Sequence, residues 1–201
     1  MCRRRAQRGF SLIEVVIFIV VLGIAFTGML ILFNQVTRAS VDPLVRKQTL
    51  AIAASLLEEI QLKPFTYCDP DDANVYSAGS AAGCTIAEVV QGCGVAPANE
   101  QVESRYADPR FDNVNDYNCF EMGSGTVSPG IKSVDDGGTP IAGLNDYAVR
   151  VNITEAGTDL PNIPVADNAA GLLITVTARH VPTGATVVLQ SYRMRYAPNS
   201  P

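Results

Sequence analysis

The sequence predicts an α+β fold: a long N-terminal helix, apolar enough in its first half to span a membrane, packed on a small antiparallel sheet, with a loop-rich, disulfide-tied region beside it. Three observations predict this. The nineteen residues from Val15 to Phe33 carry no charge, about the length that crosses a bilayer core as a helix. A second stretch, Pro43 to Lys63, carries apolar residues at helical spacing. In the last third, three segments alternate or run apolar between clusters of turn residues, the pattern of strands.

The start of the chain justifies the first element. Arg3, Arg4, Arg5 and Arg8 precede the apolar run. A secretory signal peptide also has a basic start, but its apolar region is shorter and a small-residue cleavage site follows it. Here the run is too long and no A-x-A-like site follows Phe33, so the segment is expected to persist as a membrane helix. The arginines hold the N-terminus in the cytoplasm by the positive-inside bias, and everything after Phe33 then faces the periplasm or the outside. Glu14 is the anomaly, since a carboxylate just inside an apolar span is costly and functional by default. If the chain is cut between Gly9 and Phe10, Phe10 gains a charged amine four residues before Glu14. That gap is roughly 6 Å of helical rise, so the amine of a neighbouring copy can meet Glu14 as readily as its own.

Gly9, Phe10, the Ser11-Leu12-Ile13 run, Glu14 and the apolar helix behind them resemble the type IV prepilin family, which includes minor pilins and type II secretion pseudopilins. The resemblance implies a class III signal: a membrane prepilin peptidase cuts after Gly9 and methylates the new amine of Phe10, and Glu14 pairs with the first-residue amine of a neighbour during assembly. Further on, Asp42-Pro43, the run Ala53 to Phe65, Cys68-Asp69-Pro70 and Phe111 to Tyr117 resemble the MshD family of minor pilins in MSHA-type pili. The implied divisions are a leader at residues 1–9, a transmembrane and filament-core helix at 10–35, a second part of that helix at 36–64, and a globular pilin domain at 65–201.

Composition narrows the chemistry. The formal net charge is −5, and loss of the leader removes four arginines, making the remainder more negative by four. That argues against a broad nucleic-acid surface, which needs a basic footprint. Cys2 leaves with the leader; Cys68, Cys84, Cys93 and Cys119 remain. Four cysteines on the oxidising side read as two disulfides with three possible connectivities. Cys68–Cys84 with Cys93–Cys119 closes two local loops; Cys84–Cys93 inside Cys68–Cys119 is the nested alternative. No C-x-x-C occurs and the single histidine, His180, is distant in sequence, so no zinc site is expected.

In chain order, Gly23 and Gly28 lie inside the span, where glycine permits close helix approach. Asp42 is a good N-cap and Pro43 suits a first helical position, so this pair either kinks one long helix or breaks it. Unbroken from Phe10 to Lys63, the helix would extend about 80 Å. Leu44, Val45, Ile52, Leu56, Ile60 and alanines 51, 53 and 54 form its stripe, with Glu58 and Glu59 expected on the opposite side. Pro64 ends it. Residues 66–145 are loop-rich, with a short strand expected around Thr85–Val90 and ties supplied by the disulfides, each contributing roughly 3 kcal/mol in the chain-entropy model. Tyr147–Thr154, Leu172–Val181 and Thr186–Tyr196 are the strands, the last two forming a hairpin about Pro182-Thr183-Gly184. The tail Ala197–Pro201 is expected to be loose.

Asp69, Asp71, Asp72 and Asn74 offer oxygen ligands but lack EF-hand spacing, and read as a solvated turn. Asp112, Asn113, Asn115 and Asp116 read as Asx turns, or more sharply as an exposed, aromatic-edged loop touching a neighbouring subunit. No G-x-S-x-G elbow or P-loop occurs, so no catalytic residues, cofactor or metal are expected. The expected partners are prepilin peptidase, other pilin subunits through the N-terminal helix, the inner-membrane assembly platform and the inner membrane itself, with the cell-surface pilus as destination. A type II secretion pseudopilin, or a tip subunit binding surface glycan or DNA, are the alternatives. One consequence is testable at Glu14. Glu14→Ala should leave membrane insertion intact and abolish incorporation into filaments, read by immunoblotting sheared filaments against membranes; normal incorporation would remove the register role from this carboxylate.

Overall fold

A computed structural model describes residues 11–93, 103–123, 130–159 and 167–201, the side chains of 34–42 excepted. Gly9 and Phe10 lie outside the described residues. The chain divides into two compact units, Met1–Leu44 and Val45–Pro201.

Helix α1, Leu12–Gln61, contains Pro43 within it. The helix is therefore not broken at Asp42-Pro43; proline costs one ladder bond there. Its end falls two residues short of Lys63. Leu62 and Lys63 donate to the carbonyls of Glu58 and Ile60, and Pro64 bars continuation by steering Lys63 out of helical geometry. In the first unit every large apolar residue from Leu12 to Phe33 is exposed, and Leu12–Phe33 is long and apolar enough to cross a membrane.

In the second unit, the face of α1 bearing Val45, Thr49, Ile52, Ala53, Leu56 and Ile60 is buried. These positions recur every three or four residues, one stripe of a helix. Thr49 is tolerated because its Oγ1 donates to the Val45 carbonyl at 2.8 Å. Leu44, Ala51 and Ala54 are exposed, so the stripe is narrower than the sequence predicts. Glu59 lies beside the stripe, half-buried, while Glu58 alone points to solvent; three residues after Leu56, Glu59 shares its face.

The stripe packs on a four-stranded antiparallel meander in the order β1 (Glu121–Gly123), β2 (Tyr147–Glu155), β3 (Gly171–His180), β4 (Thr186–Met194). Tyr147, Val149, Val151 and Ile153 of β2 and Leu172, Ile174, Val176 and Ala178 of β3 turn inward, joining Ile52, Leu56 and Ile60 in one core. The register pairs Val151 with Val176 and Val176 with Leu189, setting one apolar face across neighbouring strands. The β3–β4 turn places Gly184 at φ 73°, a left-handed conformation glycine takes without strain. β1 has only three residues, too few for a periodic signal. At its end Gly123 has φ 113°, and a Cβ there would lie 2.2 Å from the Tyr147 carbonyl oxygen, so close pairing with β2 requires glycine.

The loop-rich region holds disulfides Cys68–Cys84 and Cys93–Cys119. No strand forms around Thr85–Val90; the segment makes a single bridge, Cys68 with Ala87. The tail is tied down: the Pro198 carbonyl accepts from Tyr67 N, and Asn199 Nδ2 donates to the carbonyls of Val75 and Ala78 at 3.0 and 2.9 Å. Leu56→Ala should destabilise the domain by about 2–5 kcal/mol, whereas Leu50→Ala, 45% exposed, should stay within about 0.5 kcal/mol. Urea unfolding of the detergent-solubilised chain, followed by circular dichroism, separates the two.

Candidate functional site

Two regions carry chemistry: the head of α1 and a polar network inside the second unit. At the head, Ser11 precedes the helix and its carbonyl accepts from Glu14 N at 3.0 Å and Val15 N at 3.3 Å. Glu14 stands in the first turn, where the positive end of the helix dipole favours a carboxylate, and is exposed with the apolar residues around it. Such a surface is stable in lipid or against other apolar helices. Thr27 Oγ1 donates to the Gly23 carbonyl at 2.8 Å, and a Cβ at Gly23 or Gly28 would meet nothing within 4 Å, which leaves both open to close approach by another helix.

The network centres on Glu59. Arg105 grips it with two bonds, Nε to Oε1 at 2.8 Å and Nη2 to Oε2 at 2.6 Å. Tyr117 adds its hydroxyl to Oε1 at 2.7 Å. Arg105 Nη1 donates to the Lys132 carbonyl at 3.2 Å. Burial pushes the Glu59 carboxyl up, but bonds from Arg105 and Tyr117 outweigh it and hold it below the ordinary range. Burial, then the Glu59 charge, pushes the Tyr117 phenol up, so it stays a donor. The sequence reading missed these residues as a site; the spacing of Glu59 from Leu56 was the available signal.

Beside it lies an acidic cluster. One oxygen each from Asp69, Asp71, Glu103 and Asp112 lie within 4.8 Å of one another. These are hard oxygen donors, the type divalent calcium or magnesium takes. The two acidic loops, separate in sequence, are thus brought together, and the first is a solvated turn only in part: Asp69 and Asp72 are 2% and 4% exposed, while Asp71 stands open to solvent. The local geometry is still that of Asx turns, with Asp71 N donating to Asp69 Oδ1 at 2.6 Å and Asn74 N to Asp72 Oδ1 at 2.8 Å. Backbone bonds from Ile86 and Asn74 hold Asp72 below its usual range. Phe111–Tyr117 is not an exposed loop either. Tyr117 is buried, and the Phe111 ring meets it edge-on at 4.9 Å, because Asp116 Oδ2 accepts from the amides of Asp112 and Asn113 and folds the segment inward.

The charges are concentrated. Burial and then the charges of Asp116 and Asp112 push Glu103 up to about 9. Burial, then Asp116, Asp69 and Asp71, pushes Asp112 up to about 7, with Lys63 pulling the other way. Asp116 is raised by burial despite its two amide bonds. The contact between the two carboxyls of Glu103 and Asp116 pushes Glu103 up and works against the rise at Asp116. His180 stands apart, its Nδ1 2.8 Å from Thr183 Oγ1 and its ring 4.7 Å from that of Tyr147.

Residues 4–30 match the family model described as the prokaryotic N-terminal methylation motif. The match covers Gly9, Phe10 and Glu14 and runs into the span of α1. The chain therefore carries a prepilin-type, class III signal, which implies processing by prepilin peptidase and assembly with other pilins. Joined to the exposed apolar helix, it suggests membrane anchoring. No curated protein and no solved structure matches the chain significantly.

The acidic cluster makes stability depend on pH. Glu103 and Asp112 titrate higher when folded than the usual carboxyl value of about 4. The folded state therefore binds extra protons, and their contribution is full below about pH 4 and lost as pH rises through the folded values. The urea midpoint should fall between pH 5 and pH 9, and Glu103→Gln should flatten that fall. A midpoint constant or rising over this window would contradict the assignment.

Proposed function

We propose that this chain is an MshD-like minor pilin of an MSHA-type pilus. Prepilin peptidase cuts between Gly9 and Phe10 and methylates Phe10. The processed chain waits in the inner membrane as a single-pass protein, cytoplasmic at its N-terminus and periplasmic in its C-terminal domain. It then passes through the assembly platform into, or primes, a surface filament serving adhesion or motility. The role is architectural, not enzymatic.

The observation that carries this reading is the continuity of the methylation motif with the helix. Residues 4–30 hold the motif, and Leu12–Phe33 forms an apolar span with Glu14 as its single charged residue. A helix apolar on every side cannot remain in water. On leaving lipid it needs the same surface from its neighbours, which a bundle of identical helices provides. Glu14 against a neighbour's Phe10 amine would then offset the cost of two buried charges and set axial register, the best-attested use of a buried pair. The MSHA assignment draws on the resemblance of Ala53–Phe65, Cys68-Asp69-Pro70 and Phe111–Tyr117.

Intact mass and N-terminal sequencing of the chain recovered from membranes test the proposal. The expected product begins at N-methylated Phe10 and lacks Met1–Gly9. A chain still beginning at Met1, in cells with active prepilin peptidase, would reduce the protein to an anchored domain.

A further inference from the structure

The second unit contains a cavity of about 310 Å³, within the size range of small-molecule sites and at its lower end. It lies among the strand ends and disulfide-tied loops of the Val45–Pro201 unit. Its floor is apolar, with Phe65 and Leu172 both buried. Its walls carry Glu88, Asn115 and Arg195, and Glu155 and Asp167 stand exposed at its edge.

Asn115 is the telling residue. It is 8% exposed, and neither Nδ2 nor Oδ1 has a hydrogen-bond partner. Other amides of this domain are used: Asn113 Nδ2 donates to Thr66 Oγ1, Asn118 donates to the Gln91 carbonyl and accepts from Ile153 N, and Asn199 bonds two carbonyls. A buried amide with both ends unmet calls for a reason, and this one lines a cavity. Arg195 repeats the pattern. Its guanidinium lies 4.1 Å from the centre of the Phe65 ring and 4.8 Å from that of Tyr67, while its buried Nε makes no hydrogen bond. Stacking fixes the guanidinium plane and leaves its N–H edge to bond.

These groups define what fits. The amide offers a donor and an acceptor side by side on one carbon, so its complement must accept and donate from neighbouring groups, as vicinal hydroxyls do. Arg195 supplies further donors. An anion would meet three carboxylates against one arginine, and a cation would meet Arg195. A neutral polyol satisfies both kinds of group, since each hydroxyl donates and accepts, and its C–H faces suit the apolar floor. We propose that this cavity binds one neutral sugar residue, with the Asn115 amide and the Arg195 guanidinium edge holding neighbouring hydroxyls. The site is independent of the prepilin reading, since it needs neither cleavage nor assembly.

Saturation-transfer NMR on the full chain tests it, in a zwitterionic detergent without a sugar head group and against a panel of neutral hexoses and their methyl glycosides. The expected result is saturation transfer to ring protons of at least one sugar, weakened about tenfold or more by Asn115→Ala and by Arg195→Gln and unchanged by Tyr192→Ala on the exposed face of β4. Asn115→Asp keeps the size of the side chain and removes the donor, so it should also weaken binding if Asn115→Ala does not fold. Binding of a methyl glycoside as well as the free sugar identifies the end of a glycan chain; binding of the free sugar alone identifies a free monosaccharide, and both support the site. No transfer from the folded chain to any sugar would leave the cavity to water and overturn the proposal. So would sugar binding that Asn115→Asp and Arg195→Gln leave untouched, or acetamide binding there in place of every sugar.

Discussion

The Glu59–Arg105 pair is the constraint around which the globular unit is arranged. A half-buried carboxylate on the core-facing side of a helix is costly unless every acceptor site is used and a cation is held against it. Here both oxygens are used, by Arg105 and Tyr117. The same guanidinium reaches on to the Lys132 carbonyl. Four stretches far apart in sequence thereby meet at one point: the C-terminal part of α1, the loop at Arg105, the turn at Tyr117 and the loop at Lys132. The pair contributes less as net stability than as a geometric demand. Any arrangement separating these segments leaves a desolvated charge without its partner, so compact alternatives are penalised and one packing is selected.

The rest of the loop-rich region follows from that point. With Tyr117 fixed, Phe111 and Phe120 close edge-on around it, at 4.9 and 6.3 Å, and Asn113 carries the segment back to Thr66. The disulfides act on either side of this cluster, Cys68–Cys84 on the loop after α1 and Cys93–Cys119 beside the turn. A region with so little regular secondary structure has few backbone ladders to hold it. Side-chain bonds to backbone replace them, from Asp72 to the Ile86 and Asn74 amides and from Asn118 to both Gln91 and Ile153. The same folding brings Asp69, Asp71, Glu103 and Asp112 together, each with an oxygen within 4.8 Å of the others, and their like charges raise one another.

What was legible in the sequence was whatever a periodic pattern or a local motif controls. The apolar span, the stripe from Val45 to Ile60 and the β3–β4 hairpin each repeat over several residues, and the prepilin signal is contiguous. What was not legible depends on distant partners. Glu59 reads as polar surface until Arg105, 46 residues away, is known to face it. Asp69 and Asp72 read as a solvated turn because their backbone geometry is indeed that of Asx turns; burial comes from the segments folded over them. β1 is too short to show a period, and the tail reads as loose because nothing local reveals that Asn199 bonds the loop at Val75 and Ala78. The cavity at Asn115 belongs to the same class. A lone asparagine in an Asx-rich run carries no signal until its neighbours are seen to leave both ends of its amide unmet.

The two units answer opposite demands on one chain. Val45–Pro201 buries apolar surface in a core shared by α1 and the sheet. The head of α1 buries none of its apolar surface and depends wholly on what surrounds it. Because the continuous run of exposed apolar residues is confined to the stretch Leu12–Phe33, the proposed assembly would ask only that stretch to exchange lipid for neighbouring helices. Within such an apolar surface side-chain packing alone sets register weakly, since many axial offsets bury similar area. In the proposed filament a single charge would break the degeneracy, because only an offset that brings an amine to Glu14 avoids stranding it. On the proposed assembly, the carboxylate that is hardest to justify in a membrane span would be the residue best able to specify how copies of the helix align.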